Sequence, residues 1–76
     1  MSQAEIRPTL GHEPTVYRTF LEVYGERLEG YPEIRRRIVV VVYRGTSRRR
    51  AVAAYNDLRR WAGSNPAVAS YGWEVL

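Results

Sequence analysis

Glu22, Glu26, Glu29 and Glu33 form the densest run of carboxylates in the chain, so they are the first place to look for catalysis. Two carboxyl groups can divide the roles of general acid and general base when burial or a neighbour shifts one pKa. The surrounding TFLEVYGERLEGYPEI stretch promises no such burial, and the four read as a solvated acidic segment. Nucleophilic catalysis needs a Ser or Cys beside a base that a third group orients. There is no Cys, the one His is His12 near the N-terminus, and the one Asp is Asp57 on the outer side of a predicted helix. No constellation assembles, and the chain is expected not to be an enzyme. The same scarcity of His and Cys argues against a structural zinc site, so no metal or cofactor is expected.

The turn Arg44-Gly45-Thr46-Ser47 precedes a predicted helix, where backbone N–H groups can hold an anion. A nucleotide-binding loop would need several glycines and a lysine. One Gly and no Lys rule that out and leave a tight turn with a capping hydroxyl.

The arginines carry the most pointed signal. There are twelve basic residues, all Arg, for a net charge of +4. Residues 1–34 have net charge −3 and residues 35–76 have +7. Such asymmetry fits contact with an acidic partner or a head-to-tail contact between copies. Arg48, Arg49 and Arg50 fill the first turn of the predicted helix. That turn is the positive pole of the macrodipole, and each cation there costs about 0.3–1 kcal/mol. Broken local rules of this kind tend to mark functional sites. Arg44, Thr46, Arg48, Arg49 and Arg50 are therefore the candidate partner- or anion-binding group. Arg35, Arg36 and Arg37 are expected at the entry end of a strand, where charge keeps it soluble. With Tyr17, Tyr24 and Tyr31 they form a second candidate interface, since Tyr, Trp and Arg are enriched at binding hot spots. Arg59 and Arg60 fall at a predicted helix C-terminus, where cations are favourable.

The elements that position these groups follow from periodicity. Ile38–Tyr43 is a continuous β-branched run, expected to be a central strand covered on both faces. Ala51, Ala54, Tyr55, Leu58, Trp61 and Ala62 share one helical face, which predicts an amphipathic helix over about 47–62. Thr46 or Ser47 would cap it and Gly63 would supply a left-handed stop. Residues 67–75 alternate as a strand, with Ala69, Tyr71, Trp73 and Val75 on one face. A right-handed crossover between parallel strands is the expected link. Residues 15–24 fit a helix face but are rich in strand formers; a strand is preferred, joined to Ile38–Tyr43 by a long loop through Gly25, Gly30 and Pro32. The expected fold is α+β, β-β-α-β, a three-stranded sheet with one helix packed on a face; the alternative is α-β-α-β.

Residues 1–14, broken by Pro8, Gly11 and Pro14, are expected to be a flexible arm before a single small domain over 15–76. At 76 residues the core is marginal, and without disulfides or metal a homo-oligomer is expected. No run approaches the ~20 apolar residues of a membrane span, and no apolar leader segment is evident, so a cytoplasmic location and no membrane partner are expected.

In style the chain is similar to the short orphan proteins of high-GC actinobacteria and their bacteriophages: no Lys, twelve Arg, AVAAYNDLRRWAG as the single helix and YGWEVL as a terminal strand. The resemblance implies an accessory role such as host takeover, counter-defence or regulation, and assigns no functional residues. Together these readings point to a small non-enzymatic interaction protein that binds an acidic macromolecular surface. The alternative is a small basic nucleic-acid-binding protein, for which Tyr71 and Trp73 would be a stacking platform.

Overall fold

The computed structural model describes residues 14–76. The expected flexible arm, with His12, lies outside the described residues except for Pro14. The fold is α+β in the order β-β-α-β: β1 (Tyr17–Leu28), β2 (Tyr31–Gly45), α1 (Arg48–Leu58), a 3-10 turn (Ala62–Ser64) and β3 (Val68–Val75). The three strands form one sheet in the order β2-β1-β3, and both outer strands run antiparallel to β1.

That order corrects the expected central strand. The middle position belongs to β1, and the Ile38–Tyr43 run lies on β2 at an edge. Its residues are far from covered: Ile38 through Val42 are each 43–52% exposed. The β2-to-β3 link is a crossover between strands that run in the same direction, with β1 lying between them and α1 carrying the chain across it.

The hairpin joining β1 and β2 is tighter than expected. Leu28 pairs with Tyr31, so Glu29 and Gly30 alone form the turn. Gly30 has φ +83°, a left-handed conformation that a side chain disfavours. Gly25 and Pro32, assigned to a loop from the sequence, lie inside the strands. Arg35–Arg37 likewise lie within β2 instead of ahead of it. Register shifts interrupt the ladder, one of which leaves Val42 as an extra residue opposite Thr19 and Phe20.

Helix α1 begins as its sequence dictates. Ser47 is the N-cap, and its Oγ accepts a hydrogen bond from the Arg50 N–H at 3.1 Å. The helix ends earlier than expected, at Leu58, with Arg59 as C-cap. Gly63 supplies no left-handed stop; the chain descends through a 3-10 turn instead. Arg59 and Arg60 therefore follow the helix and do not belong to its last turn. Trp61, expected against the sheet, is 46% exposed because helical spacing no longer governs it.

The helix covers one face of the sheet. Ala51, Leu58 and Ala62 are the buried apolar residues among those described, with Thr19 as the buried polar one. The Thr19 hydroxyl donates to the Ala51 carbonyl at 2.6 Å, so its burial leaves no unmet donor. Tyr55 packs on Tyr71 with ring centroids 5.8 Å apart, and Tyr17 on Trp73 at 6.3 Å. The opposite face has no covering layer among the described residues. It carries Arg18 bound to Glu74, with an Nε–Oε2 distance of 2.8 Å, and Glu22 accepting from Ser70 at 2.8 Å. The result is a thin slab, 58 × 31 × 12 Å over the Cα trace.

Candidate binding surfaces

Tyr43 fixes the turn that presents the first candidate group. Its phenol oxygen accepts a hydrogen bond from the Ser47 N–H at 3.1 Å, tying the end of β2 to the start of α1. The ring lies across Gly45, where an added Cβ would come within 2.5 Å of the phenol oxygen. Gly45→Ala is therefore expected to displace the Tyr43 ring and free the Ser47 N–H, costing about 1–3 kcal/mol. Urea unfolding of the variant measures it; an unchanged midpoint would mean that Tyr43 yields at no cost.

From this turn Arg48, Arg49 and Arg50 project at the first turn of the helix, all exposed. Arg44 and Thr46 just before them are exposed as well. The Arg48 guanidinium sits 5.4 Å from the Trp73 ring centroid, a cation–π contact. The first turn contains no acidic residue. Among the described residues the ion pairs are Arg18–Glu74, Arg37–Glu22 and Arg60–Asp57, and none involves Arg44, Arg48, Arg49 or Arg50. Arg48, Arg49 and Arg50 thus put three positive charges at the helix's positive pole with no ion-pair partner among the described residues, whereas Arg44, opposite Arg18 in the sheet, points to the uncovered face away from α1.

The second candidate group is not one surface. Tyr24 lies between two guanidinium groups, Arg35 at 5.1 Å and Arg37 at 5.7 Å from its ring centroid, on the uncovered face of the sheet. Arg37 also reaches Glu22 at 3.8 Å, and Arg35 Nε donates to the Gly25 carbonyl at 3.3 Å. Arg36, one residue out of phase, points to the other face, where its Cβ stands near Gly25. Tyr17 lies against Trp73 on the helix side, and Tyr31 is 57% exposed at the hairpin tip. The three tyrosines therefore face three directions.

The acidic segment gathers no acid–base pair. Glu22 is engaged by Ser70 and Arg37, while Glu26, Glu29 and Glu33 are exposed around the hairpin tip. A surface depression lined by Asn56, Arg59 and Arg60 offers an amide and two cations but no general base. Among the described residues no helix is long and apolar enough to cross a membrane.

One surface escaped the sequence reading. Ile38–Val42 presents five consecutive apolar residues along an open sheet edge. The arginines on both sides of the run were its only signal, because a run of this kind looks the same in a central strand and at an edge. No family profile, curated protein or solved structure matches the chain.

Proposed function

We propose that this chain is a non-enzymatic interaction protein that docks an acidic surface of another macromolecule onto Arg48, Arg49 and Arg50. One observation carries the reading: three arginines crowd the first turn of α1 with no carboxylate near them among the described residues. An external anionic group relieves both the mutual repulsion and the unfavourable dipole interaction. The neighbouring Thr46 hydroxyl adds a hydrogen-bond donor to the same end of the molecule.

The partner proposed is an acidic protein face, and the role an accessory one of the regulatory, host-takeover or counter-defence kind, exercised in the cytoplasm. A protein partner is favoured over nucleic acid because the cluster occupies one end of the slab. A phosphate backbone calls for charge spread along a track. Tyr71 and Trp73, the candidate stacking platform, are moreover on the face that α1 covers and are engaged by Tyr55, Tyr17 and Arg48.

Two measurements test this together. Wild-type protein should retain acidic proteins from a bacterial lysate, and the Arg48→Glu, Arg49→Glu, Arg50→Glu triple variant should lose them. Duplex and single-stranded DNA and RNA should be retained weakly or not at all at low salt. Tight retention, with log K falling by about 0.9 per phosphate contacted for each tenfold rise in salt, would establish the nucleic-acid alternative instead. An identical set of retained proteins for the triple variant would remove the arginines from the function.

A further inference from the structure

We propose that β2 is the seam of a two-fold dimer, formed when the free edges of two copies pair antiparallel about Val40. The inference stands apart from the identity of the acidic partner.

Strand β2 is fifteen residues long and pairs only with β1 among the described residues. Among the described residues its outer edge therefore offers unpaired backbone N–H and C=O groups along roughly 50 Å at 3.4 Å per residue. Proteins usually blunt such an edge with charge, proline, bulges or brevity. Here Pro32 and Arg35–Arg37 lie to one side of the apolar run and Arg44 to the other, with an extra residue at Val42 and a further irregularity over Pro32–Ile34. Between them Ile38, Val39, Val40 and Val41 stand uninterrupted and about half exposed. An edge of this length and composition pairs with something.

A second copy fits it on two counts. The run is self-complementary: pairing about Val40 sets Ile38 against Val42 and Val39 against Val41, so that apolar residues meet only apolar residues. The charges beyond the run act in both directions: the same register sets Arg36 opposite Arg44, a repulsion, while antiparallel pairing carries the acidic hairpin tip of each copy toward the turn before α1 of the other. Residues 26–33 hold Glu26, Glu29 and Glu33 against Arg27, net −2, while Arg48, Arg49 and Arg50 amount to +3. The tip thus attracts the arginine cluster and leaves it a positive surplus for a further partner. The pairing is isologous and consumes the same edge in both copies, so association stops at two. The joined sheet has six strands, and the edges left are the eight-residue β3 strands.

The absence of Cys makes a direct test available. Residues facing each other across antiparallel strands have Cα atoms about 4.5–5.5 Å apart, within the span of a disulfide. Val39→Cys, Val40→Cys, Val41→Cys and Tyr31→Cys are prepared one at a time; Cys is close to Val in size, and far-UV circular dichroism verifies folding. Under mild oxidation Val40→Cys should cross-link at least ten times faster than Tyr31→Cys, whose position at the hairpin tip keeps the two copies apart. Sedimentation equilibrium of the unmodified chain at about 10–500 µM should give twice the 8.8 kDa chain mass. A monomer throughout that range overturns the proposal and leaves a foreign strand as the occupant of the edge. A dimer in which Tyr31→Cys couples as fast as Val40→Cys overturns it too, since the seam would then lie elsewhere.

Discussion

Leu58→Ala should lower the thermal midpoint by about 10–30 °C and leave a substantial unfolded population at room temperature. Among the described residues Leu58 is the one large aliphatic side chain that is buried; Ala51 and Ala62 accompany it with a methyl group each. Truncating a buried leucine costs about 2–5 kcal/mol, and most where the surroundings cannot collapse into the space. Here the space lies between the C-terminal end of α1 and a sheet held by its own ladder, which limits collapse. A chain of this size has about 4–11 kcal/mol of total stability at 0.05–0.15 kcal/mol per residue. One substitution can therefore remove half of it. Thermal unfolding followed by circular dichroism measures the effect. A shift under 5 °C would mean that the fold depends little on the helix–sheet contact and draws its stability from elsewhere.

Arg49→Glu combined with Arg50→Glu should raise stability and weaken binding at once. Ser47 is the N-cap and Arg50 stands three residues on, with its N–H already bonded to the Ser47 hydroxyl. A glutamate at position 50 completes the reciprocal capping arrangement by reaching back to the Ser47 N–H, whose present acceptor is the Tyr43 phenol. Replacing two cations by two anions at the positive pole of α1 adds roughly 0.3–1 kcal/mol for each, and the pair should gain about 1–2 kcal/mol at low salt. Arg48 is left in place because its stacking on Trp73 offsets its electrostatic cost. Affinity for the acidic partner should meanwhile fall at least a hundredfold, since two charge-assisted contacts become repulsions. Denaturant titration and a binding isotherm measured side by side check both signs. A destabilised variant would mean that the first turn is not frustrated as its charges imply. A stabilised variant with unchanged affinity would free the cluster of any binding role.

The legible parts of this molecule are the local ones. Ser47 as cap, the Ala51–Leu58 helical face and the charge conflict at Arg48–Arg50 depend on residues within four positions of one another, and each is present in the structure. The alternation of Tyr71 and Trp73 with Gly72 and Glu74 is likewise local and placed the rings against the helix side. What was misread depends on pairing. Central and edge strands share the same β-branched composition, so Ile38–Val42 alone cannot reveal that β1 takes the middle. Gly25 reads as a loop residue until the register sets it beside Ile38, where the lack of a side chain suits a crowded ladder. Tyr17, Tyr24 and Tyr31 look like one exposed set until the pleat separates the first two and the turn carries off the third. The helical period overran Leu58 because nothing in its spacing marks where the chain tightens into a 3-10 turn.

The placement of β1 between its neighbours has a consequence for the newborn chain. Its first partner follows after a two-residue turn and can zip up as soon as it emerges, whereas its second follows only after α1. At 5–20 residues per second the ribosome needs about 2–6 s to pass from Gly45 to Val75. For that interval the nascent ribbon bears raw borders on both sides and no helix across it. Slower translation past α1 then lengthens the time in which the hairpin depends on chaperones for cover.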